Sequence, residues 1–111
     1  MDCLFCKIIN KELPSTIVYE DDKFLVVQDI APKAPIHLLA IPKKHINSVN
    51  YLEPEDKELA GGLILLAKFI AKEQGIAESG YRLIFNTGKD SGQTVDHLHL
   101  HIMGGEKLPF A

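Results

Sequence analysis

The run His97-Leu98-His99-Leu100-His101 places an imidazole at every second residue, and the pattern continues apolar through Ile102 and Met103. In a β-strand successive side chains point to opposite faces, so the three rings would line one face and Leu98, Leu100 and Ile102 the other. Imidazole gains or loses a proton near neutral pH. Three on one face, costly to bury without partners, fit metal binding, nucleophilic catalysis or proton transfer. The preceding loop, Lys89-Asp90-Ser91-Gly92-Gln93-Thr94, offers an open backbone at Gly92, amide donors at Gln93 and a hydroxyl at Thr94. Those groups suit an anion such as phosphate. Cys3 and Cys6 form a Cys-x-x-Cys pair, which in a reducing compartment suggests a metal site or a redox pair rather than a structural disulfide.

The elements that must position these groups are legible in outline. Residues 3–10 are apolar at Leu4, Phe5, Ile8 and Ile9, compatible with a short helix that Pro14 ends. Thr16–Tyr19 and Lys23–Asp29 read as a hairpin around Asp21-Asp22, and Ile36–Ile41 as a third strand stopped by Pro42. The clear helix spans residues 54–74: Pro54 suits its first position, Glu55 and Asp56 suit its positive end, and Leu59, Leu63, Leu66 and Ile70 recur at helical spacing. Gly61-Gly62 inside it costs about 1 kcal/mol per glycine relative to Ala. A close neighbour such as a second subunit would explain that cost; simple tolerance is the alternative. Tyr81–Asn86 reads as a fourth strand and His97–Met103 as a fifth, closed by Gly104-Gly105. One long helix, one short helix and an antiparallel five-stranded sheet define an α+β fold, with the leucine face of the last strand packed on the long helix and the histidine face toward a cleft or solvent.

Composition sets outer bounds. With 111 residues, 46% of them hydrophobic and 24% charged, the chain suits one domain, residues 1–111, with a single core. A formal net charge of −3 leaves no basic surplus for a nucleic acid, whereas a small nucleotide needs only a few N–H groups around one phosphate. The longest apolar-rich stretch, residues 63–71, contains Lys68 and is too short to span a membrane, and no basic n-region precedes an apolar run. A cytoplasmic protein is the expectation.

These motifs together make the sequence recognisable. It resembles the histidine triad (HIT) family, whose signature alternates three histidines with apolar residues, as in His97-Leu-His99-Leu-His101-Ile102-Met103. The resemblance also covers the N-terminal Cys-Leu-Phe-Cys-Lys-Ile-Ile, the segment from Asp29 to His37, Ile-Pro-Lys-Lys-His45, Asn86, Gly92-Gln93-Thr94 and Gly104-Gly105. It looks most like the Hint branch in its bacterial, zinc-binding form. That resemblance implies a HIT-like fold and a homodimer that binds a purine nucleotide such as AMP and hydrolyses or transfers nucleoside monophosphate groups. His99 matches the nucleophile that forms a nucleotidyl-histidine intermediate. His101 would contact the phosphate and assist proton transfer, with His37 in the same network. Asn86, Gly92, Gln93 and Thr94 match the phosphate-binding positions, and Asp29 the ribose-binding carboxylate. Phe5, Ile8, Val27 and Ile30 match the positions that sandwich the base; core packing is the alternative for each. Cys3, Cys6, His45 and His97 match the ligands of a structural Cys2His2 zinc, with an empty or partly filled site as the alternative.

Two departures stand out. Asp96 sits where relatives usually carry an aromatic or apolar residue, which fits either an exposed strand start or a contact behind the histidines. The C-terminal segment from Glu106 to Ala111 is short and lacks tryptophan. The expected activity is that of a nucleoside phosphoramidase, acting on an AMP adduct linked through nitrogen or on an aminoacyl-adenylate. A dinucleoside polyphosphate hydrolase, or a nucleotide- or zinc-binding regulatory module with little turnover, are the alternatives; an intact His99 argues against the latter.

Overall fold

Alternating apolar side chains build an antiparallel sheet that is covered on both faces. The computed structural model describes residues 3–109. The strands are β1 (Ile17–Glu20), β2 (Phe24–Gln28), β3 (Ile36–Pro42), β4 (Tyr81–Ile84) and β5 (Leu100–Gly104), in the order β1-β2-β3-β5-β4 with every neighbour antiparallel. Two helices complete the α+β architecture, α1 (Leu4–Ile9) and α2 (Lys57–Glu73). Phe110 and Ala111 of the C-terminal segment lie outside the described residues. Among those described, no helix is long and apolar enough to cross a membrane.

The period of two decides which side chain meets which helix. Phe24 and Val26 of β2, Leu38 and Ala40 of β3, and Leu100 and Ile102 of β5 pack with Leu63, Leu66, Ala67, Ile70 and Ala71 of α2. Those α2 positions recur at helical spacing and form its buried stripe. The intervening residues Leu25, Val27, Leu39 and Ile41 turn to the other face and pack with Cys3 and Phe5 at α1. Each large aliphatic side chain buried this way contributes about 2 kcal/mol relative to exposure. Of the two helix glycines, a Cβ on Gly62 would meet the Phe24 ring at 3.4 Å, an ordinary van der Waals contact, and Gly61 has nothing within 4 Å, so close packing within the chain demands glycine at neither. The helix also starts later than the sequence pattern suggests: Pro54–Asp56 form a 3-10 turn, and α2 begins at Lys57. Asp56 accepts the Glu53 N–H at 2.9 Å and pairs with Lys44 Nζ at 2.6 Å, which joins the helix start to the loop after β3.

The sheet departs from the sequence reading where it matters most. The fifth strand starts at Leu100, so His97 and His99 precede it and only His101 lies within it. Pro42 explains the late start. In the β3–β5 register Ala40 faces Leu100, so Leu98 would face Pro42. Proline has no N–H for a ladder, and its carbonyl is already taken by His97 Nε2 at 2.8 Å. Leu98 instead donates its N–H to Ile46 at 2.6 Å. The alternation nevertheless persists, since Leu98 remains 3% exposed in the core beside α2. The fourth strand likewise ends at Ile84 rather than Asn86, and Asp96 is exposed in the bend before β5.

Candidate active site and metal centre

The histidine face divides into two sites. His97 is fully buried rather than open to a cleft or solvent, and its ring meets both cysteines. Cys3 caps α1, its sulfur accepting the Cys6 N–H at 3.3 Å, which sets both thiols on the same side of the first turn. Cys3 Sγ lies 3.3 Å from His97 Nδ1, and Cys6 Sγ lies 3.3 Å from His45 Nδ1 and 3.6 Å from His97 Nδ1. The four candidate ligand atoms all lie within 4.8 Å of one another.

Each histidine in this cluster has its other nitrogen engaged. His97 Nε2–H donates to the Pro42 carbonyl at 2.8 Å, and His45 Nε2–H to Asn47 Oδ1 at 2.7 Å. Both rings therefore present an Nδ1 lone pair to the sulfurs, the tautomer that ligation needs. Two sulfurs and two nitrogens at these separations fit a tetrahedral zinc, whose ligands sit roughly 2.0–2.3 Å from the ion. Burial, then the adjacent Cys3 sulfur, push the Cys6 thiol up to about 11. A divalent cation among these atoms would favour the thiolate.

The second site opens beside the first, in a cleft of about 580 Å³ lined by His37, His99 and His101. His99 Nδ1–H donates to the His97 carbonyl at 2.7 Å, leaving the Nε2 lone pair for the cleft. The Phe5 and His99 rings meet in a T-shaped contact with centroids 4.9 Å apart. Behind His101 runs a line of defined polarity. The Lys33 N–H donates to His37 Nδ1 at 3.0 Å, so the His37 proton is on Nε2, which donates to His101 Nδ1 at 2.9 Å. His101 Nε2 then faces the cleft, 3.4 Å from the Asn86 amide. Asp29 lies 3.4 Å from His37 Nε2 and receives the Ala31 N–H at 2.8 Å.

Asp29, His37 and His101 also cluster closely enough to suggest a cation site. The two rings, however, meet nitrogen to nitrogen at 2.9 Å with centroids 5.2 Å apart, the arrangement of rings aimed end-on at each other. A metal would need both lone pairs to converge beside that line. The geometry is that of a shared proton.

Burial lowers the pKa of His37 and of His101, the latter to about 4, with neighbouring imidazoles adding to the effect at His101. Burial also lowers that of His99. The sign of the stability effect follows. An unfolded histidine titrates near pH 6.5, so between that value and about 4 the unfolded state binds more protons than the folded one. Stability attributable to His37 and His101 is present above about pH 6.5 and is lost as pH falls. The midpoint of urea unfolding is expected to drop between pH 7 and 4, with a shallower drop in His101→Gln. An equal slope in both proteins would remove the buried neutral pair as a cause.

Most of the residues singled out in the sequence converge on this cleft. Phe5, Ile8, Val27, Asp29, Ile30, Asn86, Gly92 and Thr94 all line it, with Asn86 beside His101. Ile30 is 95% exposed, which excludes core packing as its role. Gln93 is the correction. Its Nε2 donates to the Asn47 and Val95 carbonyls at 2.8 and 3.0 Å, and its Oε1 accepts the Gly88 N–H at 2.8 Å. Its own N–H bonds Gly88 at 3.3 Å, so both kinds of donor expected for phosphate are spent inside the loop. Gln93 braces the loop and does not line the cleft. The sequence reading missed Leu39, Arg82, Ile84 and Met103, which line the cleft from β3, β4 and β5. Strand register is the signal that finds them: Leu39 and Ile84 both face His101, and Arg82 faces Met103.

Comparison with known proteins agrees with this geometry. The family described as "Scavenger mRNA decapping enzyme C-term binding" matches residues 2–109. An uncharacterized HIT-like protein of Synechocystis sp. is 49% identical over 110 residues, covering 99% of this chain and 94% of the relative. The crystal structure of a HIT family hydrolase from Legionella pneumophila superposes with a TM-score of 0.96 at 47% identity, covering 98% of this chain and 97% of the other. A histidine triad protein from Clostridium difficile gives the same TM-score of 0.96 and 47% identity over 100% and 96% of the two chains. A family match over nearly the whole chain, a HIT-like relative at 49% identity and a HIT family structure at a TM-score of 0.96 together show that the chain belongs to the histidine triad (HIT) family.

Proposed function

We propose that this protein hydrolyses or transfers nucleoside monophosphate groups at the α-phosphate of purine nucleotides, and that it acts best as a nucleoside phosphoramidase releasing AMP. The observation that carries this reading is the His99 ring, with Nδ1–H engaged by the His97 carbonyl and Nε2 free to attack. Phe5, Ile8, Val27 and Ile30 would hold the purine, and Asp29 would accept hydrogen bonds from the ribose hydroxyls. Asn86, the backbone at Gly92 and the Thr94 hydroxyl would surround the phosphate oxygens where charge develops.

The steps balance with these groups alone. A bound phosphate anion raises the proton affinity of the buried His37–His101 pair, so the pair takes up one proton from solvent with the substrate, on His101 Nδ1 once the His37 Nε2–H turns from it toward Asp29. His99 Nε2 attacks phosphorus, the phosphorus–nitrogen bond of the substrate breaks, and His101 Nε2–H protonates the departing amine. The nucleotidyl group is now on His99, whose Nδ1–H stays on the His97 carbonyl. Water then attacks phosphorus and passes its proton to His101. The bond to His99 Nε2 breaks, AMP leaves, and both imidazoles return to their starting states. One hard displacement becomes two easier ones.

Zinc held by Cys3, Cys6, His45 and His97 would tie α1 to the segment after β3 and the segment before β5. With all four positions taken by protein, it would leave none open for substrate. A second copy of the chain is the partner we propose for the outer face of α2, where Ile64, Leu65 and Phe69 are about half exposed or more and Gly61 leaves the backbone bare. Incubation with adenosine 5′-phosphoramidate and with diadenosine tetraphosphate tests the activity. AMP is expected from the first at a kcat/KM at least about tenfold above the second. Turnover of neither would end the enzymatic reading, and preference for the tetraphosphate would favour the dinucleoside polyphosphate hydrolase.

A further inference from the structure

Between the metal centre and the cleft stand two amide side chains, Asn47 and Gln93, that the proposed reaction leaves unused. The segment His45-Ile46-Asn47 follows β3 and touches both sites. The His45 ring faces the Cys6 sulfur through Nδ1 and donates Nε2–H to Asn47 Oδ1 at 2.7 Å. The Ile46 carbonyl accepts the N–H of Leu98, the residue before His99, at 2.6 Å. The Asn47 carbonyl accepts a Gln93 amide hydrogen at 2.8 Å.

Gln93 carries that connection into the loop that lines the cleft. Residues 85–99 join β4 to β5 outside the sheet, so turns and side chains must satisfy their backbone groups. Gly88 and Gly92 flank a 3-10 turn with φ of 81° and 89°, values that only glycine adopts readily. Gln93 spans this turn. Its Nε2 also donates to the Val95 carbonyl at 3.0 Å, and its Oε1 accepts the Gly88 N–H at 2.8 Å. One amide thus holds both ends of the loop and anchors it to Asn47. Gly92 and Thr94, on either side of Gln93, are the residues that reach the cleft. A shift of Asn47 therefore moves the Gly92 backbone and the Thr94 hydroxyl.

We propose that Asn47 and Gln93 are positioning residues that couple the metal centre to the phosphate subsite, so that zinc tightens the hold on phosphate and phosphate tightens the hold on zinc. A ligand on Nδ1 fixes the His45 ring, the ring fixes Asn47, and Asn47 fixes the outer anchor of Gln93. The second direction follows from the first, because coupling between two bound groups is reciprocal. Through α1 zinc also acts on the purine pocket, but adenosine shares that influence with AMP. Comparing the two ligands isolates the phosphate. This inference rests on the reading that Gly92 and Thr94 face the phosphate.

Calorimetry on the zinc-loaded protein gives the AMP and adenosine affinities. Competition with a chelating dye gives the zinc affinity with each ligand present at about a hundred times its own Kd. In the wild type AMP is expected to raise zinc affinity about fivefold more than adenosine does. Gln93→Met, similar in length but without an amide, is expected to abolish that difference. It should also lower the ratio of AMP to adenosine affinity about fivefold, the scale of one net hydrogen bond. Asn47→Ala cuts the link at the His45 ring and leaves Gln93 whole, so it decides the question if Gln93→Met does not fold. It is expected to weaken zinc binding about tenfold and to abolish the difference between ligands. Asn47→Asp, which keeps an acceptor for His45 Nε2–H, should retain that difference. No such difference in the wild type, or one that persists in Asn47→Ala and Gln93→Met, overturns the coupling and leaves the hydrolase reading intact. Equal wild-type affinity for AMP and adenosine overturns the phosphate assignment and this proposal with it.

Discussion

Replacing His99 with alanine is expected to lower kcat toward adenosine 5′-phosphoramidate by roughly 10⁴-fold, the scale seen when a catalytic nucleophile is removed. That corresponds to about 5.5 kcal/mol of barrier. His101 and the phosphate-facing groups remain in the variant, so nucleotide affinity should fall much less than turnover. The fold should hold, because the ring meets Phe5 edge to face and belongs to neither core cluster. Rapid quench followed by peptide mass analysis should find a nucleotidyl adduct on His99 in the wild type and none in the variant. Retention of full turnover in His99→Ala would show that water attacks phosphorus directly, with His101 as the only catalytic imidazole.

Removing the metal centre is the other large effect. Purified protein is expected to hold about one zinc per chain, and the double substitution Cys3→Ser/Cys6→Ser to hold almost none. Zinc would join residues 3, 6, 45 and 97, so its loss would free α1 from the segments after β3 and before β5. Structural zinc accounts for the entire fold of a zinc finger. Here most apolar burial lies between the sheet and α2, so the cost is smaller, on the order of 3 kcal/mol, or a fall in Tm of roughly 12–24 °C. AMP affinity should fall as well, because α1 carries Phe5 and Ile8 into the cleft. Equal zinc content in the two proteins would exclude this ligand set. Equal Tm values with zinc present only in the wild type would leave a bound ion with no structural weight.

How far the sequence reading reached follows from how local each signal is. The alternation of Leu98, Leu100 and Ile102 fixed which side chains enter the core, because side-chain parity needs no knowledge of partners. The strand start was not legible, because it depends on Pro42, fifty-eight residues from Leu100 in sequence and adjacent in the sheet. Gln93 looked like a phosphate ligand because an exposed amide in a glycine loop carries the same signature whether it faces a ligand or braces the loop. Only the positions of Asn47, Gly88 and Val95 separate the two. The cysteine pair was visible and its partnership with His45 and His97 was reached through family resemblance, since spacing alone does not bring residues 3 and 97 together. Arg82 carried a compositional hint as the single arginine, but its place in the cleft needed the β4–β5 register.

The main chain decides where protons sit in this site. His37 takes its tautomer from the Lys33 N–H, His97 from the Pro42 carbonyl and His99 from the His97 carbonyl. Peptide groups survive every substitution except proline, so any sequence that keeps this trace inherits the same acid–base wiring. Side chains along the cleft, such as Ile30 and Arg82, can then vary without disturbing it. Evolution on this scaffold can change what is recognised and what is expelled while the reacting nitrogen stays armed.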